Sequence, residues 1–426
     1  MKRLRRRRRR EPGGTCAGAS TVRKVKCRDV PGIVIYYASR GGRPRCLRRE
    51  NVTLNYTMIT NNETLAEICQ RARQVSALAL DTEFVRTRTY YPRLGLIQLF
   101  DGETISLIDP LPITDWAPFR ALLQDKQVIK YLHAGSEDLE VFLHEFGTLP
   151  DPMIDTQILA AFTGRPLSCG FATLVESFTG IALDKSESRT DWLARPLTEK
   201  QCQYAAADVF YLLPIAQKLM VEAEEAGKMA AALDECRLLC QRRTAQLDPQ
   251  DAYREITNAW QLRPRQLAAL RLLAAWRLEL AREKDMAVNF VVREENLWKV
   301  ARYLPGSLGE LEQLGLAGPE IRFHGRALLS MVATAEAMSD DDLPEPIVNL
   351  IDHPRYKSVF KAIKGAVASA AEEHGVSQEL LASRRQINQL LSVYWKLKPQ
   401  ERKPELVDGW RGALLEKSIN AILTAG

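Results

Sequence analysis

The sequence predicts an α/β domain, a mixed sheet flanked by helices, followed by two all-helical domains. Three observations predict it. Between residues 76 and 133 short apolar stretches recur at strand length and stop at turn residues. From 136 to 220 the apolar spacing becomes helical, and after Asp248-Pro249 nearly every segment is helical. Strands early and helices late describe a sheet with helices packed against it.

The strands follow in order. Ser76 to Phe84 is an apolar run that turns into alternation and ends in acids, the pattern of a buried strand. Leu94 to Phe100 is a second strand, and Asp101-Gly102 after it is a hairpin signal leading into a third, antiparallel strand over Thr104 to Ile108. Val128 to His133 is a fourth, delivering into a helix from Ser136 to Phe146 whose Leu139, Phe142, Leu143 and Phe146 share one face. Further helices are expected at Thr156 to Phe162, Phe171 to Phe178 and Thr198 to Met220, and an earlier one around Leu65 to Cys69, capped from Asn61, Asn62 or Thr64. Beyond residue 263, helices are expected at Leu267 to Leu278, Glu294 to Tyr303, Leu308 to Leu314 and Pro319 to Met338. The acidic, proline-containing stretch Asp340 to Pro346 then reads as a linker.

Composition bounds the answer without naming it. A chain of 426 residues exceeds one ordinary core, and 46% hydrophobic with 26% charged residues is ordinary globular usage. The net charge of +6 is misleading, because residues 1 to 50 hold 17 Lys and Arg against three acids, leaving the other 376 residues at −8. Any phosphate-binding surface must therefore be a local patch. The eight cysteines are scattered without zinc-ligand spacing and fit free thiols in a reducing compartment. No apolar run of about 18 residues exists, which excludes a helical membrane span.

The resulting division is 1–53, 54–250, 263–342 and 347–426. The first segment, with six arginines from Arg5 to Arg10, shows no apolar periodicity and is expected to be disordered. An RNA-binding arm, a targeting segment and a nuclear-localisation-like run compete there on charge alone, and a secretory leader is excluded by the missing apolar stretch. The composition break reads as an extension outside the working protein, with the native start near Leu54 or Met58.

Three short motifs carry chemistry. Asp81 and Glu83 are two apart on a strand, so their carboxylates share a face. Asp138 opens a helix, and Tyr204 and Asp208 are one helical turn apart across three alanines that let a neighbour approach closely. Each alone reads as a surface acid, a dipole-stabilised acid or a core tyrosine. Together, in strand, helix-start and helix contexts, they supply the oxygen ligands that hard divalent cations need. Two ions about 3.5–4 Å apart could activate water and stabilise a leaving 3′ oxygen, with Tyr204 orienting the water.

These motifs, Asp81-Thr82-Glu83-Phe84, His133 through Asp138, and Tyr204 through Asp208, resemble the three exonuclease motifs of the DEDD superfamily in its tyrosine-bearing branch, and within it the ribonuclease D family. The resemblance covers nearly everything from Leu54, since 263–342 resembles the HRDC module and 347–426 a second, divergent copy. It implies an RNase H-like exonuclease fold followed by two HRDC domains. The activity implied is 3′-to-5′ hydrolysis of RNA that releases 5′-mononucleotides, with a role in maturing the 3′ ends of tRNA precursors and other small structured RNAs. It also implies two Mg²⁺ or Mn²⁺ ions on Asp81, Glu83, Asp138 and Asp208, with Tyr204 as the water-orienting residue. A cytoplasmic monomer without membrane partners is expected. The family pattern lacks the N-terminal extension.

Beyond the cage, His133 is a candidate contact for a phosphate or the terminal ribose, or a strand-end histidine satisfied locally. Lys185 and Arg189, in a loop of cations, hydroxyls and Trp192, are candidates for phosphate contacts, with Trp192 packing. The cations around Phe323 and at Arg384 and Arg385 read either as an RNA-facing surface or as solvated faces. Two rival functions remain, a DNA 3′–5′ exonuclease with the same cage and a non-catalytic RNA-binding module. No polymerase-sized remainder and no Walker-type phosphate loop accompany the motifs.

Overall fold

A computed structural model of the chain describes residues 53–397 and 403–424 in full and the backbone of 22–26, 34–38 and 45–46. It divides into two units, Met1–Thr53 and Leu54–Gly426. In the first, β1 (Val22–Lys26), β2 (Val34–Ala38) and β3 (Arg45–Cys46) form an antiparallel sheet in the order β1-β2-β3. The expectation of a wholly irregular segment is corrected by these strands. Val34-Ile35-Tyr36-Tyr37 is β-branched and aromatic, a composition that favours extended backbone whatever the surrounding charge. The arginine run Arg5 to Arg10 lies outside the described residues.

The second unit begins with β4 (Tyr56–Ile59), α1 (Asn62–Ala72), β5 (Ala77–Val85), β6 (Arg93–Phe100) and β7 (Ile105–Ile108). After them come α2 (Ala117–Leu123), β8 (Ile129–Leu132), α3 (Ser136–Phe146), β9 (Met153–Asp155), α4 (Thr156–Phe162), α5 (Phe171–Thr179), α6 (Glu199–Glu225) and α7 (Met229–Thr244). The six strands run in the order β4-β7-β6-β5-β8-β9. β5–β6 and β6–β7 are antiparallel, the rest parallel, so the predicted mixed sheet is found. The Asp101-Gly102 hairpin forms as expected. Gly102 takes a φ of 97°, and the Asp101 carboxylate accepts from the Glu103 and Thr104 amides. The two edge strands β4 and β9, and helices α2 and α7, were not foreseen.

Leu78 and Leu80 of β5, Ile97 and Leu99 of β6, Phe119 of α2 and Phe142 of α3 are fully buried in one core. The strand bearing the acids is therefore central and fixed on both sides. A β-bulge between Glu83 and Phe84 shifts the register just past the second acid. Asn61 caps α1 and Thr198 caps α6 through a capping box with Gln201, fixing the start of the helix that carries the third motif.

Helices α8 (Pro264–Glu283), α9 (Val288–Val291), α10 (Glu294–Tyr303), α11 (Leu308–Gln313) and α12 (Gly318–Ala337) surround a second core built on Leu270, Leu273, Leu297 and Leu328. Tyr253 and Ile256, ahead of residue 263, also pack into that core. Short 3₁₀ turns over Pro249–Glu255 carry Tyr253 and end just before Ile256, and such turns have no 3.6-residue signature. A third core, around Ile363, Leu391, Leu415 and Ile419, is enclosed by α13 (Tyr356–Glu373), α14 (Gln378–Leu381), α15 (Arg384–Tyr394) and α16 (Gly409–Thr424). Cys69, Cys169, Cys202, Cys236 and Cys240 are free thiols. Among the described residues no helix is long and apolar enough to cross a membrane.

Candidate active site

Asp81, Glu83 and Asp208 converge: one carboxylate oxygen from each lies within 4.8 Å of the others. β5 supplies the first two on one face by its two-residue period, and α6 packs across that face to supply the third. Ala205 and Ala206 are fully buried beneath the helix, so small side chains do bring it close to the sheet. Tyr204, one turn before Asp208, lies beside it, and its ring is 6.1 Å from that of Trp192.

Asp138 is close but differently held. It is buried at the start of α3 and accepts a 2.5 Å hydrogen bond from the Thr82 hydroxyl. The turn that aims it is tightly specified. Ala134 adopts a left-handed φ of 54°, and the buried Asp155 carboxylate accepts from the amides of Ala134 and Gly135. A Cβ on Gly135 would come within 2.9 Å of Leu132. Asp138 therefore stands outside the set of three, near enough to act on their charge.

Electrostatics show what the cluster requires. Burial, then the charges of Asp138, Asp208 and Glu83, hold the Asp81 carboxyl well above the usual range. Burial and the charges of Asp208 and Asp138 push Glu83 up to about 9. Burial raises Asp208 to about 7, against the downward pull of the Tyr204 hydroxyl. Burial also raises Asp138 to about 6, offset by the Thr82 bond. Among the described residues no Lys or Arg pairs with any of the four. A half-buried set of carboxylates without a protein cation fits an external hard cation with oxygen ligands. The donor set is right for it: oxygen only, with no histidine or thiol.

The candidate substrate residues separate. Lys185 and Arg189 are exposed and carry no ion pair among the described residues, which leaves both available to phosphates. Their loop is anchored at its far end. Trp192 is buried, as expected, and its backbone lies so close to Gly95 of β6 that a Cβ there would meet the Trp192 carbonyl at 2.6 Å. Arg195 fastens the same corner, pairing with Asp109 at 2.7 Å and donating to the carbonyls of Gly95 and Trp192. His133 differs. Its Nδ1 meets the Thr156 hydroxyl at 2.9 Å and its Nε2 the Cys169 carbonyl at 3.0 Å. Both ring nitrogens are occupied, which favours the locally satisfied strand-end histidine over the substrate contact.

Sequence reasoning missed Thr82 and Arg195. For Thr82 the one available signal was a hydroxyl residue between two acids on a buried strand. Thr82→Val keeps the shape and removes the bond, so the Asp138 carboxylate loses its donor. The expected result is a fall in kcat of about ten- to hundredfold with a melting temperature lower by a few degrees, measured by steady-state trimming alongside a thermal melt. A variant with wild-type kcat would show that the bond aims nothing.

An antiparallel-centred sheet with a carboxylate cluster under an alanine-rich helix defines a 3′–5′ exonuclease of the RNase H-like kind. Family comparison agrees: residues 56–224 match the model described as 3′-5′ exonuclease, 266–332 the HRDC domain, and 354–419 the C-terminal HRDC domain of ribonuclease D. The chain is 69% identical over 366 residues to ribonuclease D of Cronobacter turicensis, covering 86% of this chain and 99% of that one. It is 65% identical over 370 residues to the Escherichia coli ribonuclease D, with 87% and 99% covered. The crystal structure of E. coli RNase D, titled an exoribonuclease involved in structured RNA processing, superposes with a TM-score of 0.86 over the same shares at 64% identity. The chain belongs to the ribonuclease D family, divalent-metal-dependent 3′–5′ exoribonucleases with HRDC domains.

Proposed function

We propose that Asp81, Glu83, Asp138 and Asp208 hold two Mg²⁺ or Mn²⁺ ions and that Tyr204 orients the attacking water. The uncompensated carboxylate cluster is the observation that carries this reading. When bound, such ions make water nucleophilic near neutral pH and stabilise charge on the leaving 3′ oxygen. The chain's own part is positional. β5 and α6 hold three carboxylates at fixed separation, Thr82 aims the fourth, and the Tyr204 hydroxyl stands beside Asp208 where it can hold the water in line. Lys185 and Arg189 bind phosphates of the 3′-terminal nucleotides, on a loop whose end is fixed by Trp192 and Arg195.

The substrates are tRNA precursors and other small structured RNAs, acted on in the cytoplasm by a monomer of four segments, 1–53, 54–250, 263–342 and 347–426. The near-full-length likeness to an exoribonuclease of structured RNA processing supports this over a DNA exonuclease or an inactive binding module. The test follows a 5′-labelled precursor tRNA bearing a short 3′ trailer, beside a DNA strand of the same sequence. With Mg²⁺ or Mn²⁺ a ladder shortening one nucleotide at a time is expected on RNA. EDTA should abolish it, and restored metal should bring it back. Internal cuts, a preference for DNA, or binding without cleavage would each overturn the reading.

A further inference from the structure

We propose that the Gln98 carboxamide is a positioning residue that hydrogen-bonds the Asp81 carboxylate when the site holds its divalent cation. The inference rests on Asp81 being a ligand, as proposed above.

The β5–β6 register sets Gln98 directly opposite Asp81. Directly paired residues share a face, with Cβ atoms about 4.5–5.5 Å apart, within reach of two polar side chains. Phe100, two residues further along the same face, packs against Phe210 of α6 at 5.7 Å, so this face lies under the helix that bears Asp208. On its other side Gln98 pairs with Leu107, which offers no polar side chain. Gln98 is 0% exposed, yet neither its Oε1 nor its Nε2 has a hydrogen-bond partner. Only one other buried side-chain nitrogen among the described residues, Trp192 Nε1, is left in that state.

A buried amide without partners is costly. A core position opposite Leu107 could hold an aliphatic side chain at no such cost. The chemistry next to it supplies a reason for the amide. A carboxylate that gives one oxygen to a cation keeps lone pairs on the other, and ligating carboxylates are regularly oriented by a second hydrogen bond there. Gln98 Nε2 is a neutral donor, so it orients Asp81 without cancelling the charge that attracts the metal. A lysine or arginine in its place would compete with the cation.

The experiment compares wild type with Gln98→Met, which keeps the volume and removes the amide, and Gln98→Asn, which withdraws the amide by one methylene. Two readouts are taken: the Mn²⁺ dissociation constant by titration calorimetry, and the melting temperature in EDTA. Gln98→Met is expected to melt a few degrees higher without metal and yet bind Mn²⁺ about 10- to 100-fold more weakly. Gln98→Asn should weaken Mn²⁺ binding in the same direction. An Mn²⁺ affinity equal to wild type in whichever variant folds overturns the proposal. Absence of Mn²⁺ binding by the wild type would instead sink the cage assignment.

Discussion

Asp81→Asn is expected to abolish 3′-end trimming while making the protein more stable in EDTA. The two effects share one cause. Asp81 is pressed by burial and by the charges of Asp138, Asp208 and Glu83, with no protein cation to offset them. Asparagine has nearly the same shape and no charge, so in EDTA the repulsion falls and stability should rise by about 1–2 kcal/mol. In the loaded enzyme the same change removes a proposed ligand. Metal ions contribute several kcal/mol to such displacements, and each 1.36 kcal/mol is tenfold in rate, so a loss of about 10³-fold or more is expected. Trimming assays and thermal melts on one preparation check both halves. A variant that melts lower in EDTA would show that the cluster is not strained by its charge, and a variant that still trims would remove Asp81 from the ligand set.

Arg411→Met should cost about 3–5 kcal/mol and release the last helical block from the exonuclease domain. Arg411 of α16 and Glu235 of α7 form an ion pair whose side chains are only 5% and 9% exposed. The same guanidinium donates to the carbonyls of Leu380 and Leu381, closing the end of α14. Trp410 beside it donates to Glu235 at 3.2 Å and packs edge-on to Phe162 of α4 at 5.0 Å. Arg242 adds a more exposed bridge to Glu405. Methionine would leave two carbonyls without a donor and the buried Glu235 carboxylate with only Trp410 and, at 3.5 Å, Arg242. Hydrogen exchange should then quicken across α13 to α16 while the six-stranded sheet keeps its protection, and cleavage of a short unstructured oligonucleotide should stay near wild type. The double change Glu235→Met with Arg411→Met should recover part of the loss, because removing both charges leaves no unpaired buried charge while the two carbonyls still lack a donor. Exchange rates unchanged in Arg411→Met would mean that other contacts hold the two parts together.

The parts of this protein that the sequence determined by itself are those whose physics is local. The central strands β5 to β8 were legible because alternation and buried apolar runs are short-range patterns, and the Asp101-Gly102 turn because glycine alone takes its φ comfortably. The site acids were legible because two residues on a strand and four on a helix each define a shared face. Whatever depended on partners far along the chain was decided by tertiary structure. The edge strands β4 and β9 are four and three residues long and exist through parallel pairing with β7 and β8, which their own sequence does not announce. Asp208 meets Asp81 because α6 lies across the sheet, and Thr82 meets Asp138 across 56 positions of sequence. His133, the buried Gln98 and the Arg411–Glu235 pair follow the same rule. A polar side chain's role is set by what stands opposite it once water is excluded, and only the folded chain chooses that neighbour.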